Sequence, residues 1–549
     1  MINDLADEFT DIRFTADPLW RSILGLPGDE DKLPDVSVEG ERRTRAALTD
    51  LIARTEAVDP ATLPATDAVT REVILQQAQS MIDLYDSRVH DFSVSDAFAA
   101  PVQFLLLVMP SLSLNSEEKA RGYLARLAAI ASYVDILIER QRAALDDHLA
   151  PAKFLVEIGI EYFDRYLADP AKDQLRIEPS IEVDGFIEER DRLLAEVVHP
   201  AFARYRDFLA VGVLARAVPD DEPGLCWLPG GAEKYAKLIR VHTTTSSSAQ
   251  ELHDLGLSVI SGLEAEYREL GKRVFDTEDL AEIFERLRTD PALRWNSGEE
   301  LLDAAREAIT RAEAVAPQWF NSVPEKRCQV APVPVSDAES GTIAYYLEPA
   351  LDGSREGVYY ANTFGAQERP RHTAEAIAFH EAVPGHHFQI VTAQGLTNLP
   401  FLRRNADINA YAEGWGLYAE RLADEMGLYS GDLAKLGMLT QDSMRAGRLV
   451  VDTGMHALGW SRRQAVDFLR ENTPMAQLEI EKEIDRYAGN PAQALSYMVG
   501  RLEIQRIRAE AEKTLGDRFD IKAFHDVVLG NGALPMSVLD GVVKAWASA

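Results

Sequence analysis

Apolar residues return at three- and four-residue steps through most of this chain. In EEKARGYLARLAAIASYVDILIERQRAAL (117–145), Leu124, Leu127, Ile130, Ala131, Val134, Leu137 and Ile138 mark one face of a helix. The same spacing predicts helices over 247–270, 279–288, 299–315, 409–426 and 493–514. Ser116, Thr277 and Ser297 precede acidic first turns and are read as N-caps. Strand patterning is confined to two short runs. TIAYYLEP (342–349) and GVYYANT (357–363) are β-branched and aromatic, and the turn-like ALDGSRE between them predicts a hairpin. HTTTSSSAQE (242–251) and CWLPGG (226–231) read as breaks between helices. No fixed-period repeat or long low-complexity linker divides the chain, so the pattern predicts one mostly α body of interlocking parts.

Composition narrows the partners. A chain of 549 residues with 46% hydrophobic and 27% charged residues can bury a large core. Its 57 basic and 89 acidic residues leave a net charge of −32. A nucleic-acid partner needs a basic face, and an anionic membrane surface attracts basic segments, so neither is expected. Cys226 and Cys328 are too few for a disulfide framework. MINDLADEFTDIRF lacks the basic and apolar regions of a secretory leader, and PVQFLLLVMP (101–110) is too short to span a bilayer. These features together predict a cytoplasmic protein. Oligomeric state is not legible.

The chemistry concentrates in AFHEAVPGHHFQ (378–389). His372, His380, His386 and His387, four of the eleven histidines, fall within sixteen residues, with Glu381 among them. The zinc-peptidase pattern H-E-x-x-H places two imidazoles on one helix face, but the position four after His380 is Pro384. On an unbroken helix, a separation of six would put His386 about 120° away, and a separation of seven would put His387 about 10.5 Å along the axis. Pro384 lacks an N–H and Gly385 is conformationally free, so the helix is expected to break and swing a histidine back over His380. Geometry alone does not choose between His386 and His387. A catalytic zinc site needs a third protein ligand and an open position. NAYAEGWGLYAERL (409–422) offers Glu413 and Glu420, seven apart on one face, and its Gly414 and Gly416 flank Trp415 as though another backbone approached.

HEAVPGHHFQ followed by AYAEGWGLYAE resembles the bacterial DUF885 family, which is similar to helical zinc carboxypeptidases and oligopeptidases of the gluzincin kind. GVYYANT, DTGMHALGWSRRQAVDFL (452–469) and EIDRYAGNPAQALSYMVG (483–500) extend the resemblance over about 350–505. It implies a zincin-like helical body with a substrate groove and a short hairpin or sheet beside the metal. Residues 1–330 would form one side of that groove and 331–549 the catalytic region, intertwined as one unit. It implies His380, His386 and Glu413 as ligands of one Zn²⁺ per chain, with His387 as the substitute second ligand, and Glu381 as general base. His456 and Tyr487 are the implied oxyanion donors, with Tyr497 a further candidate. Arg448, Arg486 and Arg501 could clamp a substrate carboxylate.

The expected activity is metal-dependent hydrolysis of peptide bonds in short peptides, from the carboxyl end or internally. Two alternatives use the same residues: an amidase or esterase acting on a small metabolite, and a non-catalytic helical binding protein. Ligand type alone leaves Mn²⁺ and Co²⁺ open.

Overall fold

The computed structural model describes residues 1–95, 99–334 and 343–549. The chain is mostly helical, with one small three-stranded sheet. The periodic segment at 117–145 is a helix over Glu117–Asp146, and the Ser116 hydroxyl accepts the Lys119 N–H at its start. Ser297 caps Gly298–Val315 in the same way. The cap assigned to Thr277 belongs instead to Asp279, whose carboxylate reaches the N–H groups of Ala281 and Glu282; the Thr277 hydroxyl accepts the Asp279 N–H. A carboxylate two residues on completes that cap, so an outer threonine serves only the approach.

The hairpin runs as expected but has a third member. β1 (Gln329–Pro332) lies parallel to β3 (Val358–Ala361), and β2 (Ala344–Leu347) pairs antiparallel with the other edge of β3, giving the order β1-β3-β2. Residue 342, where the first predicted strand begins, is outside the described residues. Pro332 can end an edge strand because it has no N–H to offer a further neighbour.

Seven helices position the chemistry. α1 is Ala249–Phe275, α2 Ala374–Glu381, α3 His386–Gln394, α4 Asn409–Glu425, α5 Asp432–His456, α6 Gln477–Gly489 and α7 Ser496–Leu515. α5 is the axis of the molecule: every residue from Leu436 to His456 is buried. A buried helix can carry charges only when they are partnered. Asp442 accordingly accepts from Arg421 and Arg501, and Arg448 donates to Glu483. One hydrophobic core joins Ile2, Leu5 and Phe9 to Trp415, Leu539 and Val543, so the two ends of the chain share it. A second core, from Leu19 to Val213, belongs to the first half. Among the described residues, no helix is long and apolar enough to cross a membrane.

Candidate metal centre

α2 stops at Glu381, and α3 starts at His386 after a turn containing a cis Val383–Pro384 peptide. Gly385 is required there, because a Cβ would sit 1.9 Å from the His380 carbonyl oxygen. The indole N–H of Trp415 donates to the Pro384 carbonyl at 2.8 Å and ties this turn to α4. The turn brings the His386 ring to 4.6 Å from that of His380, nearly perpendicular to it. Glu413 reaches in from α4, its Oε2 lying 3.5 Å from Nε2 of His380 and 3.3 Å from Nε2 of His386.

The glycines on either side of Trp415 explain how α4 comes so close. A Cβ on Gly416 would lie 2.7 Å from Cε1 of His380. A Cβ on Gly414 would lie 2.5 Å from the backbone of Gly500 in α7. One glycine admits the imidazole, and the other admits the neighbouring helix.

One ligand atom from each of His380, His386 and Glu413 lies within 4.8 Å of the others. Two nitrogens and a carboxylate oxygen around a tetrahedral zinc, at about 2.0–2.1 Å each, would stand about 3.3 Å apart. The two measured separations match that value. Glu413 Oε2 is buried without a well-formed hydrogen bond among the described residues, so its lone pairs are open to an ion. The residues therefore fit a His₂Glu zinc site.

The surroundings orient the ligands. His380 Nδ1 bonds Glu420 Oε1 at 2.8 Å, which leaves Nε2 aimed at Glu413. Burial disfavours charge on His380, but the carboxylates of Glu413 and Glu420 outweigh it and hold the imidazole up to about 9. Burial opposes charge on Glu413 too, and the two imidazoles more than reverse this, holding it well below the usual carboxylate range. Glu381 is half-buried and makes no hydrogen bond among the described residues. Burial raises its pKa, against the pull of His380 and His386.

Other sequence candidates lie elsewhere. His387 faces the sheet: its Nδ1 accepts from the Tyr346 hydroxyl at 2.9 Å and its Nε2 donates to the Lys326 carbonyl at 2.8 Å. The structure thus brings His386, not His387, to His380 and Glu413. His456 is not brought to the cluster, because its Nδ1 accepts the Leu225 N–H and its Nε2 donates to the Tyr487 carbonyl. Burial pushes its pKa down to about 4, so it is a neutral, fully bonded core histidine. The Tyr487 hydroxyl is held between Arg448 and Glu483. Tyr497 is the tyrosine beside the cluster, its ring 6.2 Å from that of His380 at 22°. Arg501 is taken by Asp442, and Arg486 by Glu483 and Gln493. Glu420, which the sequence offers beside Glu413 on one helix face, bonds the far nitrogen of His380.

The chain belongs to the family described as "Bacterial protein of unknown function (DUF885)", which it matches over residues 18–543. A crystal structure from Colwellia psychrerythraea, titled as that of a "putative lipoprotein", resembles it with a TM-score of 0.91 at 28% identity, over 99% of each chain. A "putative lipoprotein of unknown function" from Shewanella oneidensis aligns with a TM-score of 0.74 at 17% identity, over 99% of this chain and 100% of its own, a likeness of fold alone. No curated protein matches the chain.

Proposed function

We propose that this protein is a zinc-dependent hydrolase that cleaves peptide bonds in short peptides. The observation that carries the reading is the convergence of His380, His386 and Glu413 next to Glu381, whose carboxylate has no hydrogen-bond partner among the described residues. On this reading the body is zincin-like, with a groove between the 1–330 and 331–549 regions. A zinc ion held there would polarise the scissile carbonyl and make a water molecule acidic enough to attack near neutral pH.

The chain's own groups do the rest. Glu381 accepts the proton of the attacking water and returns it to the departing amine. Burial raises its pKa, which makes the carboxylate a better proton acceptor. Glu420 fixes the tautomer and tilt of His380, the role that outer carboxylates play at zinc-bound histidines. Tyr497, whose ring lies beside that of His380, stands in for His456 and Tyr487 as the donor to the developing oxyanion, because neither of those is brought to the cluster. An extended substrate would run beside β2, the sheet edge nearest α2.

The test compares zinc-loaded and chelated protein on blocked and free peptides alongside small amides and esters. Zinc-dependent cleavage of peptides supports the reading. Turnover confined to the small amides and esters replaces it with the metabolite amidase, and no turnover of any substrate leaves a binding protein. A cytoplasmic location is part of the proposal and rests on two free cysteines; recovery in the envelope fraction, which the description of the two structural relatives would suggest, overturns that part.

A further inference from the structure

Two arginines lie close to the His380–His386–Glu413 cluster in a protein whose net charge is −32. Arg445 and Arg448 are one turn apart on α5 and both are buried. Arg448 lies over the ring of Tyr497 at 4.4 Å and that of Tyr487 at 5.6 Å, and Arg445 lies over the Tyr497 ring at 5.8 Å. Arg448 spends its Nε on the Tyr487 hydroxyl and its Nη2 on Glu483, yet among the described residues its buried Nη1 has no hydrogen-bond partner. Arg445 donates to Gln441 and stands 3.8 Å from Glu420, and its Nε is likewise buried and unpartnered. Arg486 shares Glu483 with Arg448.

Buried charged donors are costly to leave unpaired, so two of them side by side point to a missing acceptor.

We infer that Arg448, assisted by Arg445, forms a subsite for a substrate carboxylate beside the candidate metal centre, with the Tyr497 ring as its floor. This rests on the hydrolase reading and narrows it to substrates carrying a carboxylate close to the bond that is cut. The Tyr497 ring centre is 6.2 Å from that of His380 and 4.4 Å from the Arg448 Cζ, so the guanidinium lies within 10.6 Å (6.2 plus 4.4) of the His380 ring. An extended residue spans about 3.3–3.6 Å, and a charge-assisted contact adds about 2.8 Å. A carboxylate one or two residues beyond the scissile bond therefore reaches. It could be the peptide's own terminus or an acidic side chain, both of which present the same planar group to a guanidinium.

Calorimetric titration of the full-length, chelated protein tests this without turnover and without a metal to attract the ligand. The probes are N-acetyl-Ala-Phe, its C-terminal amide and N-acetyl-Ala-Glu-amide. At least one carboxylate probe is expected to bind roughly tenfold or more tightly than the neutral amide. Preference for N-acetyl-Ala-Phe identifies the terminus, and preference for the Glu probe identifies the side chain. Arg448→Lys is expected to erase the preference. Equal binding of all three probes by the wild type, a comparison that needs no variant, overturns the subsite, as does a folded Arg448→Lys protein that keeps the preference. If the preference is found but zinc-loaded protein cleaves nothing, the hydrolase reading fails and the subsite stands. Peptide cleavage indifferent to the carboxylate has the opposite meaning.

Discussion

Two neighbouring stretches of α5 treat buried polar groups in opposite ways. Near its C-terminal end, Asp452 accepts from the Tyr235 hydroxyl and the Ala492 N–H, and His456 spends both nitrogens on backbone groups. One to two turns earlier, Arg445 and Arg448 each keep a buried N–H, and the adjoining Glu413 a carboxylate oxygen, without a hydrogen-bond partner among the described residues. The first set is closed and belongs to the core. The second is open and belongs to a site. Both carry the residue types that chemistry uses, so residue type alone does not separate them; unmet bonding capacity does.

The sharpest way to break the comparison is at the open set. Glu381→Gln is expected to lower kcat about 10²–10⁴-fold, while elemental analysis still finds about one zinc per chain. Full activity in that variant removes Glu381 from the proton transfer. His380→Ala and His386→Ala are each expected to lose the metal, and zinc retained at full occupancy by either would remove that residue from the ligand set. Glu420→Gln should weaken zinc binding roughly 10–100-fold through its hold on His380; a competition titration with a chromophoric chelator measures it, and unchanged affinity would make Glu420 a core residue only.

The closed set should answer through stability instead. Burial raises Asp452 to about 7, above its unfolded value of 3.8. A raised carboxyl contributes most below its unfolded pKa and loses that contribution as pH rises through the folded one. Its cost therefore grows between about pH 3.8 and 7, at up to about 1.4 kcal/mol per pH unit. His456, lowered to about 4, has the opposite slope from about pH 6.5 down to 4 and partly masks it. Asp452→Asn can keep the Oδ1 bonds, so its stability relative to wild type should climb with pH across that window in urea denaturation. A flat difference would mean that Asp452 is ionised in the fold. The smallest effect belongs to His387→Ala, which should cost about 1 kcal/mol through the Tyr346 and Lys326 bonds and leave zinc content unchanged; loss of zinc there would reinstate it as a ligand.

Much of the helical frame was legible because long amphipathic segments repeat their period many times, and Ser116 and Ser297 cap as read. β1 was not, since four residues ending in a proline carry no periodicity and the parallel partner is supplied by distant chain. His380, Glu381 and Glu413 stood out by residue type and context. The choice of His386 over His387 was hidden, because it depends on the direction the chain takes after Pro384, and that direction is set by Trp415 and Gly385. His456 and Tyr487 looked chemical in sequence; the backbone groups that occupy His456 come from Leu225 and Tyr487, far from it along the chain.

Trp415 has a further consequence. Its indole is fully buried, bonded to the turn between His380 and His386, and two residues from Glu413. Any shift of that turn when an ion arrives must alter the field and hydrogen bond felt by the ring. The protein thus has a built-in optical gauge: ultraviolet emission, compared between wild type and Trp415→Phe to subtract the other six tryptophans, can follow loading and release of the ion in real time with no label attached.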